Sequence, residues 1–271
     1  MTRLIQICLA VALLLPGAAR ADMEALYDAM GMERIIEIMR EEGLSHGAEM
    51  STDFLNGAGG SDWERAVDDI YDIEKMSATL KRGFSAALDG TDIDPLVAFF
   101  QSQTGAEIIA LEISAREALL DEAVEEASVT QLQAAQEAGD PRLDLIGRYI
   151  ETNDLVDSNV VGALNSNYAF YTGLADGGAF PFEMTQDQII RDVWDQETEI
   201  RDETEEWINS YLLMAYQPLS DDQIKAYITL SETPEGTALN RALFEGFNEM
   251  FTEISRAMGL AASIYMGGQE L

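Results

Sequence analysis

The sequence is short of the side chains that bind soft metals or carry out nucleophilic catalysis. It contains one cysteine, Cys8, and one histidine, His46. A zinc site takes about four ligands drawn mainly from thiolates and imidazoles, and a serine or cysteine nucleophile needs a neighbouring base. Zinc sites, disulfides and cysteine catalysis are therefore not expected once a leader that contains Cys8 is removed.

His46 is the only imidazole available to a catalytic site. It lies in the stretch LSHG at 44–47, which follows the apolar periodicity of a helix and is expected next to the end of that helix. An imidazole at such a place commonly hydrogen-bonds the last carbonyl groups. No activating pattern surrounds it in the sequence. We therefore single out no catalytic, cofactor-binding or metal-ligating residue, and the balance favours a protein that is not an enzyme.

Basic residues are also scarce. The chain has 16 Lys and Arg against 50 Asp and Glu, a formal charge of −34 at pH 7. Arg3 and Arg20 lie in the expected leader, so residues 22–271 carry 14 basic and 50 acidic residues, or −36. This charge repels nucleic acid and anionic membrane surfaces, and it favours cations or basic partners. The alternative is that the acids only keep the protein in solution.

Long apolar runs are missing after the first residues of the chain. The N-terminal run, Leu4 to Leu15, is shorter than the roughly 20 residues that span a bilayer. It follows Arg3 and precedes the small residues Ala19 and Ala21, which is typical of a secretory signal peptide over residues 1–21. We expect cleavage after Ala21 and a soluble, periplasmic or secreted protein without a membrane span.

Alternating β-branched runs are absent as well, and the periodicity that is present is helical. Apolar residues recur at steps of three and four, as at Met32, Ile36 and Met39. TQDQ at 185–188 and SDDQ at 220–223 are capping boxes, which mark helix starts. Gly43 is expected to end one helix, and residues 106–138 are expected to form one long helical run. The sequence predicts an all-α fold with no β-sheet.

The turn GDP at 139–141 divides the chain into two parts that resemble each other. Glycine after a helix, with proline just beyond it, is a stop signal. A shift of 131 positions places Trp63 on Trp194 and SQTG at 102–105 on TPEG at 233–236. We interpret residues 22–138 and 142–271 as two diverged tandem copies of one helical unit.

The recurring stretch, FFQSQTG at 99–105 and LSETPEG at 230–236, is predicted to join two helices. In the second copy Thr233 suits a helix cap and Pro234 the first helical position. In the first copy either Ser102 or Thr104 can cap the following helix, and Gly105 leaves room for a close approach. No ligand-binding role is needed to explain the stretch, although a binding loop is the alternative.

The same stretch resembles the motif Phe-Tyr-x-Ser-Pro-x-Gly of a family of secreted bacterial proteins, the domain of unknown function family 2059. Gln103 stands in place of the proline in the first copy, and the aromatic pair is missing in the second. The resemblance covers roughly segments 63–125 and 185–255. It implies an all-α fold and a location in the cell envelope or outside the cell, and it implies no activity.

Two acidic clusters leave alternatives open. DGTDID at 89–94 and DETEE at 202–206 supply the oxygen ligands that calcium prefers, although the first lacks the spacing of an EF-hand. Fifty acids also make the carboxylate pair of a hydrolase available, which requires a cleft with one raised pKa. Calcium binding and carboxylate-based hydrolysis are therefore alternative functions.

The preferred interpretation is a non-catalytic module of the cell envelope that binds another protein or peptide, of basic or amphipathic character. Export, the missing catalytic residues and the acidic charge all favour it. An apolar stripe near the C-terminus, which includes Met250, Phe251, Met258, Tyr265 and Met266, is expected to pack in the core. The alternative for this stripe is an exposed groove that takes an amphipathic partner segment.

Overall fold

The regular structure is entirely helical over the residues that the computed structural model describes, which are 16–57, 59–180 and 184–266. Within these ranges there are thirteen α-helices and no β-strand, so the predicted all-α fold is confirmed. The helices are α1 Pro16–Ala29, α2 Met32–Asp53, α3 Gly60–Ile70, α4 Ile73–Ala87, α5 Asp94–Phe100, α6 Gln103–Ala118, α7 Glu122–Ala138, α8 Arg142–Thr152, α9 Leu155–Asp176, α10 Gln186–Trp194, α11 Glu197–Tyr216, α12 Asp221–Ser231 and α13 Pro234–Met266.

The predicted leader falls mostly outside this description. Residues 1–15 are not among the described residues, and side chains are described only from residue 22 onward. The leader and its cleavage after Ala21 therefore stay predictions. No helix in the described ranges combines the length and the apolar character that crossing a membrane requires.

Short polar side chains begin many of the helices. Both predicted capping boxes are confirmed: Thr185 and Gln188 exchange side-chain and backbone hydrogen bonds at the start of α10, and Ser220 and Gln223 do so at α12. Gly139 ends α7 in the left-handed conformation with φ 64°, as the stop signal at 139–141 predicts.

Two predicted helix boundaries are wrong. Gly43 does not end α2, which continues to Asp53; a Cβ atom at Gly43 would lie 2.0 Å from the ring of Tyr71, so glycine is needed here for packing. The predicted run over 106–138 is two helices, because the side chain of Asp121 accepts a hydrogen bond from the backbone of Ala123 and starts α7. His46 consequently lies inside α2 and not at a helix end.

The two joints have the same geometry. Ser102 Oγ donates to the carbonyl of Phe99 at 2.6 Å and accepts from the Gly105 N–H at 3.2 Å. Thr233 Oγ1 donates to the carbonyl of Leu230 at 2.6 Å and accepts from the Gly236 N–H at 3.0 Å. Each hydroxyl thus closes the end of one helix and caps the next.

The longest helix, α13, is the axis on which α4 and α9 pack. A Cβ atom at Gly83 of α4 would lie 3.0 Å from the Cα atom of Gly246. A Cβ atom at Gly259 would lie 2.1 Å from the carbonyl oxygen of Phe170 in α9. Glycine at both crossings therefore lets the helix backbones approach each other directly.

Two large apolar clusters form the core, and each takes residues from both sides of the turn at 139–141. The first includes Trp63 and Met258, and the second includes Ile108 and Tyr216. A smaller cluster packs α10 against α9. The packing is also reciprocal, since α13 contacts α4 while α6 and α7 contact α11. The core is consequently shared between the two ranges 22–138 and 142–271.

Candidate ligand-binding cleft

An open, largely apolar cleft of about 470 Å³ lies among α9, α11 and α13, with contributions from α2 and α6. It is lined by Met39, Arg116, Leu155, Ser158, Asn159, Gly162, Ala163, Ser166, Trp207, Ile208, Tyr211, Leu212, Phe244, Phe247, Asn248 and Phe251. The described lining contains no carboxylate and no histidine. We refer to this space as the apolar cleft.

Aromatic rings form two walls of the apolar cleft. Phe244, Phe247 and Phe251 follow one another at three and four residues along α13, which places them on one face of that helix. Trp207 and Tyr211 are one turn apart on α11, with their rings stacked at 5.1 Å and an interplanar angle of 12°. All five side chains are only half-buried, so the described residues leave part of their apolar surface uncovered.

The remaining wall is built from small side chains on α9. Ser158, Gly162 and Ser166 follow one another at steps of four on one face of that helix, and Ala163 lies next to them. A Cβ atom at Gly162 would have no other atom within 4 Å. These small residues keep the apolar cleft open, because larger side chains at the same positions would fill it.

Arg116 is the one cation in the described lining. Its guanidinium lies 5.5 Å from the centre of the Trp207 ring, and its Nη2 atom pairs with Glu42 Oε2 at 2.7 Å. The Nε atom is buried and has no acceptor among the described residues. Arg116 is thus held by an aromatic face and by one carboxylate, and that carboxylate neutralises its charge.

An acidic space of about 500 Å³ adjoins the apolar cleft, since Asn159, Ala163, Trp207 and Ile208 line both. Its other side is formed by Glu125, Val129, Glu203, Thr204 and Glu206 of α7 and α11. We refer to Glu125, Glu203 and Glu206 as the acidic rim. None of these three carboxylates has a basic partner among the described residues, and Glu203 and Glu206 are exposed.

A half-buried carboxylate, Glu112, lies among tyrosines close to the apolar cleft. Tyr216 donates its hydroxyl to Glu112 Oε1 at 2.6 Å, and Tyr211, which lines the apolar cleft, donates to the Glu112 carbonyl at 3.1 Å. Burial raises the pKa of Glu112 to about 7, although the Tyr216 hydrogen bond acts in the opposite direction. Glu112 does not itself line the apolar cleft.

No protein-family model, curated protein or solved structure matches the chain. The resemblance to the domain of unknown function family 2059 therefore stays a prediction that depends on the two joints.

The acidic clusters named from the sequence are dispersed along helices and turns. Asp92 accepts a hydrogen bond from the backbone of Asp94 and so helps to start α5. Asp202 and Glu203 are exposed residues of α11. In the part of the chain that the structure describes, no three acidic or histidine side chains are grouped so that they can hold a metal ion.

His46 lines another cavity, of about 290 Å³, together with Ser255, Tyr171 and Ser166, and Ser166 also lines the apolar cleft. The described lining of that cavity contains no carboxylate that would orient the imidazole. His46 also makes no hydrogen bond to another described residue. The described lining therefore holds four hydroxyl groups, from Ser166, Ser255, Tyr71 and Tyr171, and one imidazole, but no built catalytic arrangement.

Some residues of the apolar stripe near the C-terminus pack in the core, and Phe251 lines the apolar cleft. Met250 and Met258 are 1% and 3% exposed, so the prediction of core packing is confirmed for both. Tyr265 packs edge-to-face against Trp63 with ring centres 5.9 Å apart. Phe251, by contrast, lines the apolar cleft. Phe244 and Phe247 were not identified from the sequence as cleft residues. Their spacing of three and four residues from each other and from Phe251 could have indicated a shared aromatic face.

Proposed function

We propose that the protein is a non-catalytic binding module that holds the apolar face of an amphipathic helical segment from a partner protein. The observation that carries this proposal is the apolar cleft with its five half-buried aromatic side chains. Apolar surface of this kind, left open by the chain's own helices, marks sites of binding.

The shape of the apolar cleft suits a helix. Along α9 the lining extends from Leu155 to Ser166, which is about 17 Å at the rise of an α-helix. Three turns of a partner helix fit that length and present apolar anchors at steps of three and four. The rings of Phe247 and Trp207, which line the same cleft, are available to cover those anchors.

Binding is favoured over hydrolysis by the residues that face the apolar cleft. A carboxylate-based hydrolase needs an acid with a raised pKa next to a second acid inside a cleft. The acid with a raised pKa, Glu112, bonds to Tyr216 and lies outside the described lining. We further propose that binding takes place in the periplasm or outside the cell, as the leader over residues 1–21 predicts.

Substitution of Gly162 tests the proposed function. Leucine at Gly162 extends into the open cleft, while leucine at Gly147 of α8 is the matched control, since a Cβ atom there also meets nothing within 4 Å and Gly147 does not line the cleft. The probe is a labelled amphipathic peptide of about 14 residues with leucine on one face and glutamine on the other, long enough for the cleft. Fluorescence anisotropy measures its binding.

We expect Gly162→Leu to weaken binding of the peptide about tenfold or more, because the added side chain occupies the space of an anchor. Gly147→Leu is expected to bind as the native chain does. Both variants should melt at or above the native temperature, since leucine has a helix propensity about 1 kcal/mol better than glycine. Failure of the native chain to bind the peptide, or equal binding by both variants, contradicts the proposed function.

A further inference from the structure

We infer that the partner segment is cationic, with its basic residues on the acidic rim and its apolar face in the apolar cleft; this inference rests on the proposed function. The two spaces share four lining residues, so a segment seated in one borders the other. Amphipathic segments with lysine or arginine on the polar face match this arrangement of charge.

The acidic rim is available to a partner because no basic side chain among the described residues pairs with it. The nearest basic residue along α11, Arg201, is already paired with Asp157 at 2.6 Å and with Glu197 at 2.8 Å. Glu203 and Glu206 lie one turn apart on the same helix, and Glu125 faces them from α7. Three carboxylates without a partner therefore border one end of an apolar surface.

Arg116 does not oppose a cationic partner. Its charge is compensated by Glu42, and its guanidinium lies against Trp207. Arg116 lines the apolar cleft but not the acidic space, so the two charges of opposite sign border different parts of the surface. The field at the rim is consequently set by the unpaired carboxylates.

Charge also distinguishes this partner from other occupants of an apolar cleft. A second copy of the chain brings a formal charge of −36 over residues 22–271, and anionic lipid surfaces repel the same charge. Only a basic segment gains electrostatic attraction in addition to apolar contact. The attraction should raise the rate of association as well as the affinity.

Three peptides with the same leucine face and a lysine, glutamine or glutamate polar face test the inference. At low salt we expect the lysine peptide to bind about tenfold more tightly than the glutamine peptide, since ion pairs of this kind near the surface each contribute modestly. The glutamate peptide should bind more weakly than both. The advantage of lysine should shrink in about 0.5 M salt, where exposed charges are screened.

The double variant Glu203→Gln/Glu206→Gln is expected to lose most of the preference for lysine. Its control is Glu137→Gln/Glu151→Gln, which removes the same two charges from exposed positions away from both spaces. Equal binding of the three peptides, or equal loss of preference in both double variants, overturns the inference and leaves the proposed function standing. A dimer of the native chain that Gly162→Leu dissociates also overturns it.

Discussion

At the scale of single residues, Glu112 stands out among the described acids because its carboxyl group lies among four tyrosines. Burial among Tyr149, Tyr211, Tyr216 and Tyr227 raises the pKa of its carboxyl group to about 7 and raises the pKa of each of these phenols. The folded chain therefore binds a proton at Glu112 more tightly than the unfolded chain, where the pKa of glutamate is about 4.3.

Because the pKa of Glu112 is higher in the folded chain, protonated Glu112 stabilises the folded state at low pH. This stabilisation is fully present below about pH 4.3. It is lost as the pH rises to about 7, which lowers the free energy of unfolding by roughly 2–3 kcal/mol. Glu112→Gln keeps an acceptor for the Tyr216 hydroxyl but carries no charge. We expect this variant to gain stability relative to the native chain from pH 4.5 to 7, as measured by urea unfolding.

The matched control is Glu126→Gln, at an exposed residue of α7. It should follow the native chain within a few tenths of a kcal/mol at every pH, because surface substitutions rarely exceed that range. A native chain that becomes more stable than Glu112→Gln with rising pH would contradict the raised pKa. Sequence reasoning could not find Glu112 among fifty acids, since its burial depends on tyrosines at least 37 positions away.

At the scale of helices, each of the two joints needs a glycine because the backbone of the preceding helix lies too close for a side chain. A Cβ atom at Gly105 would lie 2.1 Å from the carbonyl oxygen of Phe99, and one at Gly236 would lie 2.0 Å from that of Leu230. The contact is with the end of the preceding helix in both joints. Backbone atoms cannot rotate away as a flexible side chain can, so relief requires the two helices to separate.

We therefore expect Gly105→Ala and Gly236→Ala each to lower the free energy of unfolding by about 1–3 kcal/mol, the usual range for an overpacked site. Gly147→Ala serves as the control, because its Cβ atom meets nothing within 4 Å and alanine favours the helix. Thermal melts followed by circular dichroism measure all three. If Gly105→Ala or Gly236→Ala is as stable as Gly147→Ala, the close approach of the two helices does not require glycine at that joint.

Many helix starts and ends were predictable from the sequence because they are determined by neighbouring residues. Capping at Thr185 and Ser220 and the stop at Gly139 depend on neighbouring residues only, and all three are confirmed. The helix end predicted at Gly43 was wrong because Tyr71, at the C-terminal end of α3, occupies the space that the glycine leaves. The apolar cleft could not be predicted from the sequence either, because the five helices that line it are distant from one another along the chain.

At the scale of the whole molecule, helices lie on both sides of the turn at 139–141, and their lengths can be compared. Helices α1 to α5 have 14, 22, 11, 15 and 7 residues, and α8 to α12 have 11, 22, 9, 20 and 11. The tandem-copy interpretation stays a prediction, and the paired tryptophans differ: Trp63 is 1% exposed and Trp194 is 66% exposed. Whatever their origin, the two ranges share a core.

Because the core is shared, neither range is expected to fold when it is made as a separate chain. Residues 22–138 lose the α13 residues that cover α4, and residues 142–271 lose the α6 and α7 residues that cover α11. Each chain then exposes apolar surface that the intact molecule buries, while still paying the entropy of ordering its own helices. We expect neither chain alone to show a cooperative thermal transition by circular dichroism.

Mixing the two chains should restore both the helical signal and the cooperative transition, since each supplies the surface that the other lacks. The control is the intact protein with a protease site inserted after Gly139 and cut once folded, which should keep its transition because the turn is exposed. A cooperative transition in either separate chain would show that this range holds a sufficient core of its own. In that event the apolar cleft, lined by Met39 and Arg116 from one range and α9, α11 and α13 from the other, would be an interface between two domains.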